Sequence, residues 1–171
     1  MKSLLSAEEL AHRVESLGET IVEHYAHVEE PIIMVGVLRG SFIFMADLIR
    51  QFDRPVIVDF LSASSYGDEI VSSGVVKLKQ DLRENIEGRH VLVVEDIVDT
   101  GHTLRKLRTV LEARNPASLK FVSLLDKPSR REVDEAADWV GFTIEDHFVV
   151  GYGLDAAGLE RNIPFVGVMG A

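Results

Sequence analysis

The chain has 171 residues, 46% apolar and 27% charged, with a formal net charge of −10 and no cysteine. The length suits a single domain, residues 1–171, with a sizeable core; the acidic balance argues against broad binding to nucleic acid or anionic membranes, so a phosphorylated ligand must be gripped locally. Without cysteine there is no disulfide, no thiolate metal site and no cysteine nucleophile, which suits a reducing cytoplasm.

In chain order, "SAEELAHRVESLGETIVEHY" opens with Ser6 and Glu9 at capping-box spacing. Leu10, Val14, Leu17, Ile21 and Tyr25 then recur at helical intervals. The charges through this segment are those of a surface helix and not of a secretory apolar stretch. "PIIMVGVL" reads as a buried strand. "SFIFMADLIRQF" follows as a helix, with Phe42, Met45, Leu48, Ile49 and Phe52 in phase and Ser41 as its N-cap. Phe42, Phe44 and Met45 are apolar enough for either a core or an interface. "PVIVDFLSA" is a second strand and "GVVKLKQDL" a third, more alternating candidate. Between them "SSYGDEIVSSGV" reads as a long mobile loop, about residues 64–76.

"HVLVVE" is again a buried strand, and a helix around Leu104, Leu107, Val110 and Leu111 stops before Pro116. "LKFVSLLD", "HFVVGYGL" and "IPFVGVM" complete the strands. Strand and helix in alternation predict an α/β fold, a mainly parallel sheet covered by helices. No run approaches the roughly 18 apolar residues of a membrane span.

Ligands of such sheets sit beyond the carboxyl ends of the strands, and the unusual chemistry lies there. Leu38-Arg39-Gly40 is a tight strand-to-helix turn. In "HVLVVEDIVDTGHTL", Glu95 and Asp96 follow an apolar run, and Asp99, Thr100, Gly101, His102 and Thr103 lead into a helix. Backbone N–H groups at a helix start form an anion nest. Either Asp99 or Thr100 could also be a plain N-cap there. Adjacent carboxylates after an apolar run are costly unless a cation or a hydroxyl donor meets them. Lys127 closes a further strand in "LLDKPSR". Receiver domains pair an acidic cluster with a later Lys-Pro, but they need a further strand bearing an Asp in between, for which this chain leaves no room.

The stretch "VLVVEDIVDTGHTL" resembles the phosphoribosyl pyrophosphate motif of the type I phosphoribosyltransferases. "VGVLRGSFIFMADLIR", "SSYGDE", "LLDKPSRR" and "FVVGYGLD" resemble, in order and spacing, the hypoxanthine-guanine phosphoribosyltransferases. The resemblance covers nearly the whole chain. It implies the type I phosphoribosyltransferase fold, with a small hood near the purine site. It implies Mg²⁺-dependent transfer of the phosphoribosyl group from phosphoribosyl pyrophosphate to hypoxanthine or guanine. Asp99 through Thr103 would then cradle the 5′-phosphate, while Glu95 and Asp96 face the ribose hydroxyls.

By the same resemblance Asp99 is the general base, and Lys127 donates to the purine O6. Phe148 stacks on the ring, and the Val149 backbone reads its edge. Leu38, Arg39, Gly40 and Arg161 bind pyrophosphate, and the peptide before Arg39 is cis in some relatives. Glu95, Asp96 and Asp155 are the Mg²⁺ positions, Asp155 also lying on the purine side. Ser65 and Tyr66 lead the closing loop. The family's habit implies a homodimer or homotetramer in the cytoplasm, with neither nucleic acid nor membrane as partner. Arg39 replaces the commoner Lys, and Ala156, Ala157 and Gly158 are smaller than usual, which bears on purine preference, xanthine included. A regulator that senses phosphoribosyl pyrophosphate is the non-enzyme alternative; it would be expected to carry a basic face.

Overall fold

The structure is a computed structural model and describes residues 1–63 and 78–170. Ser65 and Tyr66, and all of the expected loop at about residues 64–76, lie outside the described residues. In chain order the elements are β1 (Lys2–Leu5), α1 (Ala7–His24), β2 (Ile33–Val37), α2 (Phe42–Ile49), β3 (Ile57–Leu61) and β4 (His90–Val98). Then come α3 (His102–Glu112), β5 (Ser118–Asp126), a 3₁₀ turn (Pro128–Arg130), β6 (Trp139–Thr143), β7 (Val149–Val150) and β8 (Val166–Val168). No helix among the described residues is long and apolar enough to cross a membrane.

A five-stranded sheet runs in the order β3-β2-β4-β5-β6, with every pairing parallel. Period-two alternation divides its side chains between two cores. Met34, Leu92 and Val94 pack with α1 and α2 on one face. Ile33, Val35, Val91, Val93 and Phe121 pack with Leu104, Leu107 and Leu111 of α3 on the other. A smaller antiparallel sheet, β1-β8-β7, forms the hood. From β2 the chain turns to β3 on one side, and β4 and β5 build outward on the other. The ends of β2 and β4 therefore flank the point where strand order reverses, the usual ligand crevice of open α/β sheets.

Most of the expected elements are present, with instructive differences. The capping box of α1 is complete: Glu9 N–H donates to Ser6 Oγ at 3.2 Å and Ser6 N–H to Glu9 Oε2 at 2.7 Å. Ser41 occupies the N-cap position of α2 but does not cap it. Its backbone is already helical, and its hydroxyl donates back to the Val37 carbonyl at 2.7 Å. Phe44 and Met45 are core residues whereas Phe42 is exposed, and Phe52 packs beyond the helix end. In "GVVKLKQDL" the described residues form no strand, only a bridge from Gln80 to Ser62. Beside it Asp59 of β3 is buried and accepts N–H bonds from Phe60, Arg83 and Glu84 at 2.7, 2.8 and 2.8 Å.

Candidate active site

Two turns and one strand end build the crevice. After β2, Leu38 N–H still donates to Leu61 O at 2.8 Å, and the Leu38–Arg39 peptide that follows is cis. Gly40 then passes so close to β4 that a Cβ there would overlap the Asp96 carboxylate. On its other side the hood touches the same turn: a Cβ on Gly153, at φ 99°, would overlap the Gly40 carbonyl. The Leu38–Gly40 turn, the acidic end of β4 and the hood are thus stacked in direct contact.

Glu95 and Asp96 end the apolar run of β4. Glu95 is 6% exposed, and its Oε1 accepts the Asp96 N–H at 3.0 Å. Asp96 Oδ1 accepts the Ile97 N–H at 2.7 Å. Burial, and then the neighbouring Asp96 charge, push the Glu95 carboxyl well above the usual carboxylate range. Burial also raises Asp96, opposed by its hydrogen bonds and by the Arg161 charge. Arg161 Nη2 lies 2.7 Å from Asp155 Oδ1, its Nη1 donates to Gly153 O at 2.6 Å, and Asp155 Oδ2 takes the Gly158 N–H at 2.7 Å.

The turn from Asp99 to Thr103 follows β4 directly. Gly101, at φ 91°, is the N-cap of α3, so neither Asp99 nor Thr100 holds that position. A left-handed backbone here favours glycine. The first turn of α3 carries no acidic residue, leaving its partial positive charge uncompensated and open to an anion. His102 turns away: its Nε2 lies 2.8 Å from Glu132 Oε2 on the exposed surface. Its expected contribution is therefore confined to its backbone.

These parts enclose one cavity of about 320 Å³. Leu38, Arg39, Gly40, Glu95, Asp96, Asp99, Thr100, Gly101, Thr103, Asp155 and Arg161 all line it. Lys127, Phe148 and Val149 stand outside it, on the β5 and hood side. Lys127 N–H donates to Val98 O at 2.9 Å, which sets this residue beside Asp99. Its side chain is 8% exposed, with Nζ 3.4 Å from Asp146 Oδ1. Phe148 is 60% exposed and Val149 is buried, an open ring next to a closed backbone.

A row of charges missed by sequence reasoning joins the two halves. Arg130 Nε lies 3.2 Å from Asp99 Oδ1 and 3.8 Å from Asp146 Oδ2, so Asp99 and Lys127 are connected through Arg130 and Asp146. The hydrogen bond to Asp99, and then its charge, raise the Arg130 guanidinium further. Arg131 Nη1 donates to Asp99 O at 2.7 Å and Nη2 to Asp126 Oδ1 at 2.5 Å. The consecutive arginines of "KPSRR" are the available signal, since two guanidinium groups after a strand end need acceptors nearby.

Among the described residues no group of three or more His, Asp or Glu forms a ready metal cage. The donor chemistry nonetheless fits a hard divalent cation completed by water and substrate oxygens. The Glu95 and Asp96 carboxyls, both held above their usual range, lack compensating positive charge, and oxygen donors suit Mg²⁺.

Residues 1–157 match the Phosphoribosyl transferase domain family. The hypoxanthine phosphoribosyltransferase of Haemophilus influenzae is 48% identical over 165 residues, covering 96% of this chain and 92% of its own. The hypoxanthine-guanine phosphoribosyltransferase of Aquifex aeolicus is 48% identical over 166 residues, with 97% and 93% covered. A crystal structure of a Bacillus anthracis hypoxanthine-guanine phosphoribosyltransferase superposes with a TM-score of 0.90 at 46% identity, covering 98% of each chain.

Proposed function

The chain belongs to the phosphoribosyltransferase family, and from that premise we propose that it transfers the 5-phosphoribosyl group of phosphoribosyl pyrophosphate to hypoxanthine or guanine. The products are IMP or GMP and pyrophosphate, a purine salvage reaction. One observation carries the reading. The buried Glu95 and the half-buried Asp96 lie between the start of α3 and the Gly40 turn, with the Asp96 carboxylate directly against Gly40. A ribose bearing a phosphate at one end and a pyrophosphate at the other needs hydroxyl acceptors flanked by anion sites.

In this reading the amides and hydroxyls of Asp99 through Thr103 hold the 5′-phosphate. Glu95 and Asp96 accept hydrogen bonds from the ribose hydroxyls. Arg39, Arg161 and the backbone from Leu38 to Gly40 take the pyrophosphate, with Arg161 leaving Asp155 to do so. Glu95, Asp96 and Asp155 would hold Mg²⁺, which when bound neutralises pyrophosphate charge that an acidic protein otherwise repels. The buried acids place negative charge beside the electron-deficient ribose carbon as the leaving group departs.

Asp99 accepts the proton from the purine imidazole nitrogen as that nitrogen bonds to the ribose carbon. Lys127 donates to the purine O6. Adenine would face that ammonium with an amino donor, so the N–H directed at the purine would meet a donor and not an acceptor. Phe148 stacks on the ring, and the Val149 backbone meets its edge. The same proposal takes the enzyme to be a cytoplasmic homodimer or homotetramer.

The test is an ultraviolet assay with phosphoribosyl pyrophosphate and Mg²⁺ against hypoxanthine, guanine, xanthine and adenine in parallel. Turnover of the first two and little of adenine is expected. Tight binding of phosphoribosyl pyrophosphate without turnover of any purine would instead identify a sensor.

A further inference from the structure

The segment after Lys127 crosses the outside of the phosphate turn and, besides the side-chain pairs Arg130–Asp99 and His102–Glu132, is fastened to it through two of its backbone carbonyls. Asp99 O accepts from Arg131 Nη1 at 2.7 Å, and Thr100 O accepts from the Glu132 N–H at 2.9 Å. In a trans peptide the C=O and the following N–H point in opposite directions. Fixing the Asp99 carbonyl outward therefore turns the Thr100 N–H inward, and fixing the Thr100 carbonyl does the same for Gly101. Thr100 and Gly101 line the cavity, whereas Arg131 and Glu132 do not.

The strap is anchored and close-fitting. Arg131 Nη2 reaches Asp126 Oδ1 at 2.5 Å, the last residue of β5, which is in register with Val98 of β4. A Cβ on Gly101 would fall 3.0 Å from both Arg131 Cδ and Val133 Cγ2. The Arg131 side chain is 18% exposed. One guanidinium thus refers the direction of the turn's amides to the rigid end of the sheet.

We propose that Arg131 is a positioning residue for the 5′-phosphate: by holding the Asp99 carbonyl out of the cavity it aims the amides of the turn at the anion. This rests on the phosphoribosyl pyrophosphate reading above. Lysine carries its three donors on a single nitrogen and cannot reproduce the planar fork whose two nitrogens reach Asp99 O and Asp126 Oδ1.

The experiment compares wild type, R131K and R131M for binding of IMP and of inosine by calorimetry, alongside steady-state kinetics and melting temperature. IMP and inosine differ only in the 5′-phosphate, so the ratio of their affinities isolates the turn. R131M is expected to compress that ratio about tenfold and raise KM for phosphoribosyl pyrophosphate in step, the loss expected for misdirected hydrogen bonds to a charged group. KM for hypoxanthine should hold within about threefold on the same scale, and R131K should fall between the two.

An unchanged ratio in R131M, whatever its melting temperature, would overturn the proposal and leave Arg131 a structural role. Should R131M fail to fold, R131K carries the same comparison, and a wild-type ratio there overturns the proposal equally. Absence of wild-type turnover with the IMP preference intact would sink the transferase reading and not this one. Absence of any IMP preference in wild type would sink both.

Discussion

Asp59 and Glu95 are buried acids on β3 and β4, the two strands that flank β2, yet their surroundings are opposite. Asp59 accepts three backbone N–H groups, two of them from residues 83–84, and so ties a returning segment to the sheet. Glu95, among the described residues, meets chiefly its neighbour Asp96, whose N–H it accepts and whose carboxylate is pressed against it. The first acid completes the fold. The second is kept short of donors, and its free energy is recovered only when something outside the chain supplies them. Placement within a sheet does not tell the two apart; the count of donors does.

The largest effect that separates acids of the site from acids of the fold should come from Asp99, which lies at the mouth of the same strand. D99N is expected to lower kcat about 10²–10⁴-fold, as for loss of a positioned base, while its denaturant midpoint stays near wild type. A full-rate D99N enzyme would remove Asp99 from the chemistry. Asp59 should behave in the reverse sense. D59A strands three N–H groups and is expected to cost about 2–3 kcal/mol of stability, read from chemical unfolding, with kcat per folded molecule unchanged. A stable D59A protein of lowered kcat would erase the distinction between the two acids.

The smallest effect has the sharpest sign. Because burial raises Glu95 in the fold, the native state holds that proton more tightly than the unfolded chain does. Its contribution to stability is complete below the ordinary carboxylate range and is lost as pH rises through the higher native value. E95Q should therefore melt above wild type in the absence of ligand at neutral pH. The gain should be about 2–4 °C if about 1 kcal/mol is recovered, and it should shrink as pH falls toward the ordinary carboxylate range, about 4. A gap that widens on acidification would mean that Glu95 is stabilised as an anion after all.

Much of this molecule is legible in its sequence where signals are local. The capping box of α1, the apolar runs of β2, β4 and β5, and the turn from Asp99 to Thr103 all act within a few residues. What escapes depends on partners far along the chain. β1 is four residues whose pairing lies on β8, and β6 is half-buried along most of its length, without alternation. Ser41 has the type and place of a cap, but the Val37 carbonyl competes for its hydroxyl. In the site, the residues at the strand ends are legible and the strap is not. Arg130, Arg131 and Asp146 act through contacts that only the folded chain brings within reach.

Gly40 and Gly153 lock these parts in a way that bears on heredity. Each would drive a Cβ into a neighbour: the carboxylate of Asp96 for one, the backbone carbonyl of Gly40 for the other. At Gly153 the obstacle is backbone, which no neighbouring substitution removes, and at Gly40 it is a carboxylate assigned above to the ribose. Lineages of this gene are expected to drift at the rim, where Leu159 is 67% exposed, and to keep both glycine codons.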